Sequence, residues 1–182
     1  LNADYSMVSV SGYGIISGFT NDGNKIPQQT IPQYYDKLGF SYNKFADSIT
    51  VSETEWDFER YKPDIIVINL GTNDMSYATT DERKAEFEDG YLDFLKKVRS
   101  LNSDSYIFQT YGVMGTSLEE NIENVRRKYM SETGDERITF IPLTMQNEDA
   151  DGIVADWHPS PKTHSLVSQK VTAAIKETLG YK

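Results

Sequence analysis

The sequence contains no cysteine and only two histidines, His158 and His164. The lack of cysteine excludes a disulfide framework and thiolate metal sites. Because an unperturbed imidazole titrates near neutral pH, a base that works in that range must be one of these two residues. The histidines form no His-x-x-x-His pair, and the acidic runs have the pattern of solvated surfaces. We therefore expect no metal ion and no cofactor.

Basic residues and long apolar runs are also scarce. The 18 lysines and arginines stand against 28 aspartates and glutamates, which gives a net charge of −10. Nucleic acids and anionic membranes are bound largely through basic side chains, so neither is expected as a partner. No apolar run approaches the length of a membrane span. The length of the chain predicts one domain.

Strands and helices are predicted to alternate along the chain. Apolar, β-branched runs predict strands at residues 5–11, 64–71, 105–111 and 137–143. Apolar residues at helical spacing predict three helices. They begin after a cap at Thr80, after a capping-box pattern at Ser117 and Glu120, and at Pro161, where the helix runs to Leu179 and Gly180 ends it. A short helix is expected near residues 32–38. This order predicts a three-layer α/β/α, doubly wound parallel sheet.

Three loop segments are expected to meet at one edge of this sheet. In a doubly wound sheet the ligand crevice lies outside the carboxyl ends of the strands, where residues 11–14, residues 71–74 and the loop with His158 follow predicted strands. The glycine and asparagine there offer N–H groups that can hold an oxyanion, and His158 can act as a base. Tight turns and a surface histidine are the alternatives to this interpretation.

These segments carry a resemblance to the SGNH, or GDSL-type, hydrolases. Residues 68–74, Ile-Asn-Leu-Gly-Thr-Asn-Asp, resemble the family's Gly-x-Asn-Asp block, and residues 156–160, Asp-Trp-His-Pro-Ser, resemble the block around its catalytic histidine. The Ser-Gly-Tyr-Gly of residues 11–14 is similar to its glycine block. With residues 31–36, Ile-Pro-Gln-Tyr-Tyr-Asp, the finer match is to carbohydrate esterase family 2.

The resemblance implies a role for each matching position. Asn73 and Gly12 would donate to the oxyanion, and His158 would activate a serine and then protonate the leaving sugar hydroxyl. Trp157 and Tyr35 would grip a sugar ring, although Trp157 could instead cover the edge of the core. The implied protein is a secreted bacterial esterase that removes acetyl groups from plant polysaccharide such as acetylxylan.

The chain departs from the family pattern because it has no Gly-Asp-Ser block to supply the nucleophile. Ser11 is a poor substitute, since residues 10–13 do not form a nucleophile elbow. We expect residues 1–182 to be the C-terminal part of a single SGNH esterase domain whose first strand and helix are missing from this chain. The missing N-terminal part of the same polypeptide is then an expected partner.

The acid of the expected triad departs from the pattern as well. The wider family has Asp-x-x-His, whereas Ala155 occupies the position three before His158 and Asp156 lies two before it. The resemblance implies a Ser-His dyad in which the backbone carbonyl of Asp156 orients the imidazole, so that Asp156→Ala costs less activity than His158→Ala. His164 is expected to pack between the last helix and the loop.

Two other functions fit parts of the sequence. A non-catalytic, carbohydrate-binding relative of the esterases would keep Trp157 and Tyr35 without the nucleophile. A flavodoxin-like electron carrier would share the acidity and the fold. That reading requires a hydroxyl-rich phosphate loop after the first strand, and residues 11–14 make a poor one.

Overall fold

Parallel strands form the centre of the molecule in the computed structural model, which describes residues 3–40, 44–45 and 48–181. A small antiparallel ladder joins β1 (Lys44–Phe45) to β2 (Ile49–Thr50). The parallel sheet contains β3 (Ile65–Asn69), β4 (Tyr106–Tyr111) and β5 (Ile138–Pro142), in the order β3-β4-β5. Its register pairs Ile65 with Tyr106 and Ile107 with Ile138. Three of the predicted strands are thereby confirmed.

Helices cover both faces of the parallel sheet. They are α1 (Asp81–Leu101), α2 (Glu119–Thr133), α3 (Glu148–Asp151) and α4 (Pro161–Leu179), with 3-10 turns at Ile31–Gln33, Phe58–Arg60, Asp74–Ser76 and Ala155–Trp157. Helices α1 and α2 bury one face in a cluster that includes Phe87, Tyr91 and Ile122. Helix α4 covers the other face, where Ile175 packs with Phe108. The three-layer α/β/α arrangement is confirmed.

Hydrogen bonds at the helix ends explain where two of these helices start. The Thr80 hydroxyl accepts from the Arg83 amide, as predicted, and the Ser160 hydroxyl accepts from the Thr163 amide at 3.2 Å. The predicted capping box of α2 is wrong. Leu118 occupies the N-cap position, and its fully buried hydrocarbon side chain has no atom that could accept a hydrogen bond.

The predicted strand at residues 5–11 is not formed. Tyr5 and Met7 are 78% and 74% exposed, and residues 3–10 share no ladder with any other described residue. A β-branched run becomes a strand only where a neighbour satisfies its backbone groups. The helix expected near residues 32–38 is also shorter than predicted, since only the turn Ile31–Gln33 is helical.

Among the helices formed by residues 3–40 and 48–181, none combines the length and the apolar character that a membrane crossing requires.

Candidate active site

Asp74 joins two loops at the carboxyl edge of the sheet. It lies in the 3-10 turn after β3 and is fully buried. Its carboxylate accepts hydrogen bonds from three successive amides, at 2.8 Å from Ile15, 2.8 Å from Ile16 and 3.1 Å from Ser17. Burial raises the pKa of the Asp74 carboxyl, and the three amide donors oppose that rise. We call residues 12–18 the glycine loop, and Asp74 is its anchor.

The glycine loop fits closely against its surroundings at two glycines. A Cβ on Gly14 would lie 2.4 Å from the Asp74 carboxylate, and a Cβ on Gly90 of α1 would lie 2.3 Å from the Ile16 side chain. Both positions therefore need glycine for the anchor and the loop to approach. A tight turn alone does not account for residues 11–14, because Gly14 also leaves room for the tertiary contact with Asp74.

Asn73 contacts the glycine loop at the residue that follows Gly12. The side-chain amide of Asn73 donates to the Tyr13 carbonyl at 2.7 Å, one residue from Gly12. The amide has a second N–H, which this bond leaves available to a ligand. The Ser76 hydroxyl donates to the Asn73 carbonyl at 2.7 Å and accepts from the Thr20 amide at 2.9 Å. The turn after β3 thus holds the glycine loop at several points.

His158 lies in a tight turn that residues 151–160 form, and we call this segment the histidine turn. The Val154 amide donates to the His158 carbonyl at 2.9 Å. Both the backbone amide and Nδ1 of His158 contact the Ala155 carbonyl, at 3.2 Å and 3.1 Å. Because a carbonyl only accepts, Nδ1 carries the proton and Nε2 is left as the basic nitrogen. The imidazole is exposed.

The Ala155 contact corrects the expected role of Asp156. We expected the backbone carbonyl of Asp156 to orient the imidazole, but the carbonyl that does so belongs to Ala155. Asp156 has a left-handed backbone, with φ 55° and ψ 34°. This conformation turns the chain back and brings the carbonyl of residue 155 under the ring. The main chain of residue 155 therefore supplies an oxygen where the wider pattern has a carboxylate.

Trp157 is exposed beside the histidine. Its side chain is 65% exposed, so it does not cover the edge of the core. Its backbone is also left-handed, with φ 62°. Left-handed backbone costs a residue other than glycine about 1–2 kcal/mol. The Trp157 carbonyl accepts a hydrogen bond from the Gln146 side-chain amide at 2.8 Å, a residue that no sequence motif indicated.

Tyr35 does not belong to this edge, which corrects its predicted sugar-binding role. Its hydroxyl accepts from the Asn102 side chain at 2.9 Å, and its ring packs edge-on against Phe94 at 5.4 Å. Asn102 follows α1 and precedes β4, so this contact lies at the amino edge of the sheet. Burial raises the pKa of Tyr35 to about 12. Its neighbour Tyr34 instead packs 6.1 Å from Tyr13, because successive residues in a tight turn face different sides.

His164 is exposed in the first turn of α4, so its expected packing against the loop is wrong. The inner face of α4 is formed by residues three and four apart, including Thr163, Val167 and Ile175. His164 follows Thr163 directly and therefore falls on the outer side. It has no place in the candidate site.

The loops after the three parallel strands form a continuous edge. The Tyr111 hydroxyl contacts the Met75 sulfur at 3.7 Å, which joins the ends of β3 and β4. The Leu143 amide donates to the Tyr111 carbonyl at 2.7 Å, and the Gln146 amide donates to the Val113 carbonyl at 2.9 Å. Gln146 in turn reaches the histidine turn. Asn73, Gly12 and His158 are therefore carried by neighbouring loops of one edge.

Three serines near this edge, Ser17, Ser76 and Ser160, have hydroxyls that are committed to other hydrogen bonds. Ser17 is fully buried, and its hydroxyl donates to the Gly18 carbonyl. The Ser76 hydroxyl bridges two backbone groups, and that of Ser160 donates to the Asp151 carbonyl at 2.6 Å. Within residues 3–40 and 48–181, no group of three acidic or imidazole side chains could hold a metal ion.

The parallel sheet with helices on both faces matches the three-layer fold of SGNH hydrolase structures. The family model of the GDSL-like lipase/acylhydrolase family matches residues 11–166. The chain therefore belongs to the GDSL-like lipase/acylhydrolase family.

Curated relatives include carbohydrate-active enzymes of bacteria. The cellulase/esterase CelE of Acetivibrio thermocellus is 31% identical over 190 aligned positions, which include all of this chain and 21% of CelE. An acetylxylan esterase/glucomannan deacetylase of Cellvibrio japonicus is 23% identical over 184 positions, covering all of this chain and 46% of that protein. The chain thus spans less than half the length of either relative.

Similar solved structures are family two carbohydrate esterases and an acetyl xylan esterase. The acetyl xylan esterase Est2A of Butyrivibrio proteoclasticus matches with a TM-score of 0.88 and 24% identity, over 100% of this chain and 53% of its own. A family two carbohydrate esterase of Clostridium thermocellum, solved with cellohexaose, matches with a TM-score of 0.73 and 29% identity, over 94% of this chain and 49% of its own.

The first prediction concerns the Asp74 anchor. Asp74→Asn replaces one carboxylate oxygen with an NH₂ group that faces amide donors, and we expect the free energy of unfolding to fall by about 3 kcal/mol. Asp93→Asn, at an exposed position of α1, is the matched control and should change it by less than about 0.5 kcal/mol. Urea titration measures both values. Equal effects of the two substitutions would show that the anchor contributes no special stability.

Proposed function

We propose that the chain is the C-terminal part of a single carbohydrate esterase domain that hydrolyses acetyl esters of plant polysaccharide, such as acetylxylan, outside a bacterial cell. The observation that carries the proposal is the His158 imidazole, whose Nδ1 is held by the Ala155 carbonyl at 3.1 Å so that Nε2 is free to accept a proton. Asn73 and Gly12 lie at the same edge of the sheet, with donors suited to an oxyanion.

The proposed reaction uses these groups in two stages. Nε2 of His158 removes the proton from a serine hydroxyl, whose oxygen attacks the acetyl carbonyl. The negative charge of the tetrahedral intermediate is stabilised by the free N–H of Asn73 and the backbone N–H of Gly12. His158 then gives its proton to the leaving sugar oxygen. In the second stage it activates a water molecule, which releases acetate from the serine.

The nucleophilic serine is proposed to come from outside residues 1–182. Strand β3 pairs only with β4 among the described residues, so its other edge has no partner strand among them. A parallel strand added beside β3 would end at the carboxyl edge, next to Asn73 and Gly12. The partial coverage of the relatives supports a further segment of the same domain.

The source of the serine can be tested on the longer polypeptide. We expect a Gly-Asp-Ser block before residue 1, and replacement of its serine by alanine should reduce acetate release from acetylated xylan to the uncatalysed background. Titration of released acetate measures the effect. Acetate release by a polypeptide that lacks this block would contradict the assignment.

The roles in the histidine turn lead to a graded prediction. In the full-length protein, His158→Ala should reduce kcat at least about 1,000-fold, because the base is removed. Asp156→Asn should reduce kcat less than about fivefold, because asparagine tolerates the left-handed backbone and the carboxylate is not the partner of Nδ1. His164→Ala, which removes an exposed imidazole, is the control. A loss in Asp156→Asn comparable to that in His158→Ala would restore a true triad.

Exposure of Trp157 also supports a second candidate, a carbohydrate-binding relative without catalysis. An exposed indole offers a flat apolar face to a sugar ring. Trp157→Ala should weaken binding of a soluble xylan about tenfold or more by isothermal titration calorimetry. Tyr181→Ala should not, because Tyr181, which is 49% exposed, lies beyond the end of α4. If the full-length protein binds xylan but releases no acetate, the binding function replaces the esterase.

A further inference from the structure

Gln146 connects the histidine turn to the rest of the edge. Its backbone amide donates to the Val113 carbonyl at 2.9 Å, which fixes Gln146 against the loop after β4. Its side-chain Nε2 donates to the Trp157 carbonyl at 2.8 Å. The side-chain Oε1 is buried and has no hydrogen-bond partner among the described residues, so within that part of the chain the bond to Trp157 is the one hydrogen bond of this carboxamide.

This contact acts on the peptide group that precedes the histidine. The Trp157 carbonyl and the His158 amide belong to one planar unit, and that unit is held at both ends. Gln146 donates to the Trp157 oxygen of this unit, while the His158 N–H of the same unit donates to the Ala155 carbonyl at 3.2 Å. The same Ala155 oxygen receives the imidazole Nδ1. Rotation of this peptide plane would therefore move the histidine away from its acceptor.

The histidine turn needs such a restraint because its backbone is strained. Asp156 and Trp157 have φ values of 55° and 62°, which places two successive residues other than glycine in the left-handed region. Bonds within the turn, such as Val154 to His158 and Ser160 to Asp151, close it upon itself. The Gln146 side chain joins the histidine turn to the loops that follow β4 and β5.

We propose that Gln146 is a positioning residue for His158, acting through the Trp157–His158 peptide plane to keep Nδ1 on the Ala155 carbonyl and Nε2 basic. Its effect on catalysis rests on the proposed esterase function, whereas its effect on the imidazole does not. Removal of the side chain leaves the backbone bond to Val113 in place, so the loop after β5 keeps its anchor.

The test compares Gln146→Ala and Gln146→Glu with the control Gln169→Ala in the full-length protein. The glutamate variant preserves the shape, but its carboxylate cannot donate to the carbonyl at neutral pH. Gln169 lies on the exposed side of α4, where its side-chain amide donates to the Ser165 hydroxyl of the same helix. The first measurement is ¹⁵N NMR of the histidine side chains, in which His164 serves as an internal reference.

We expect His158 of the unchanged protein and of Gln169→Ala to show the Nδ1–H tautomer. Both Gln146 variants should shift His158 toward a mixture of tautomers and leave His164 unchanged. Their kcat for acetate release should fall about tenfold, because small displacements of a catalytic group are costly. Thermal unfolding measured alongside separates this effect from a loss of stability, which alone does not alter the tautomer of the folded protein.

The outcomes separate this inference from the proposed function. If His158 keeps its tautomer in both variants, Gln146 does not position it, even where kcat or the unfolding temperature falls. If the tautomer shifts in a protein that releases no acetate, the positioning role stands and the esterase function fails. A full kcat in Gln146→Glu together with an unchanged ¹⁵N spectrum would overturn the inference.

Discussion

The buried carboxylate of Asp74 is the interaction on which the candidate site depends. It accepts hydrogen bonds from three consecutive amides of the glycine loop, and so it supplies acceptors to backbone groups that neither a helix nor a sheet satisfies. A glycine at position 14 is needed for this approach, and a glycine at position 90 gives room to the loop's Ile16. The position of Gly12 relative to Asn73 follows from these contacts, since both belong to the segments that Asp74 joins.

The candidate site has two halves that are held in different ways. The half with Gly12 and Asn73 is built around the buried side chain of Asp74, and its loop packs against Gly90 of α1. The half with His158 is an exposed turn, closed by backbone hydrogen bonds and tied to the strand loops by Gln146. A substitution in the first half therefore acts first on folding. In the second half it acts on the orientation of one imidazole, because few buried contacts depend on that turn.

The sequence predicted the elements whose partners are supplied by this chain. The runs that became β3, β4 and β5 pair with one another, and the apolar spacing of α1 and α4 matches the faces that they bury. Residues 5–11 have the same local pattern, but a pattern does not say whether a neighbouring strand is present. The wrong placement of Tyr35 has a similar origin. The directions in which Tyr34 and Tyr35 point depend on contacts with Tyr13 and Asn102, two residues that lie far from this turn in sequence.

The oxygen that orients His158 shows a further limit of reading function from side chains. Motifs record residue types, whereas the acceptor for Nδ1 is a main-chain carbonyl that any residue at position 155 provides. What the turn demands is the left-handed backbone at position 156, which aspartate adopts more readily than most residues. On this reasoning, Asp156 is required for the shape of the turn rather than for its charge. A neutral carbonyl stabilises the imidazolium less than a carboxylate does, so a base built in this way depends more on its exact placement. In our proposal, the hydrogen bond from Gln146 to the preceding peptide plane supplies that placement.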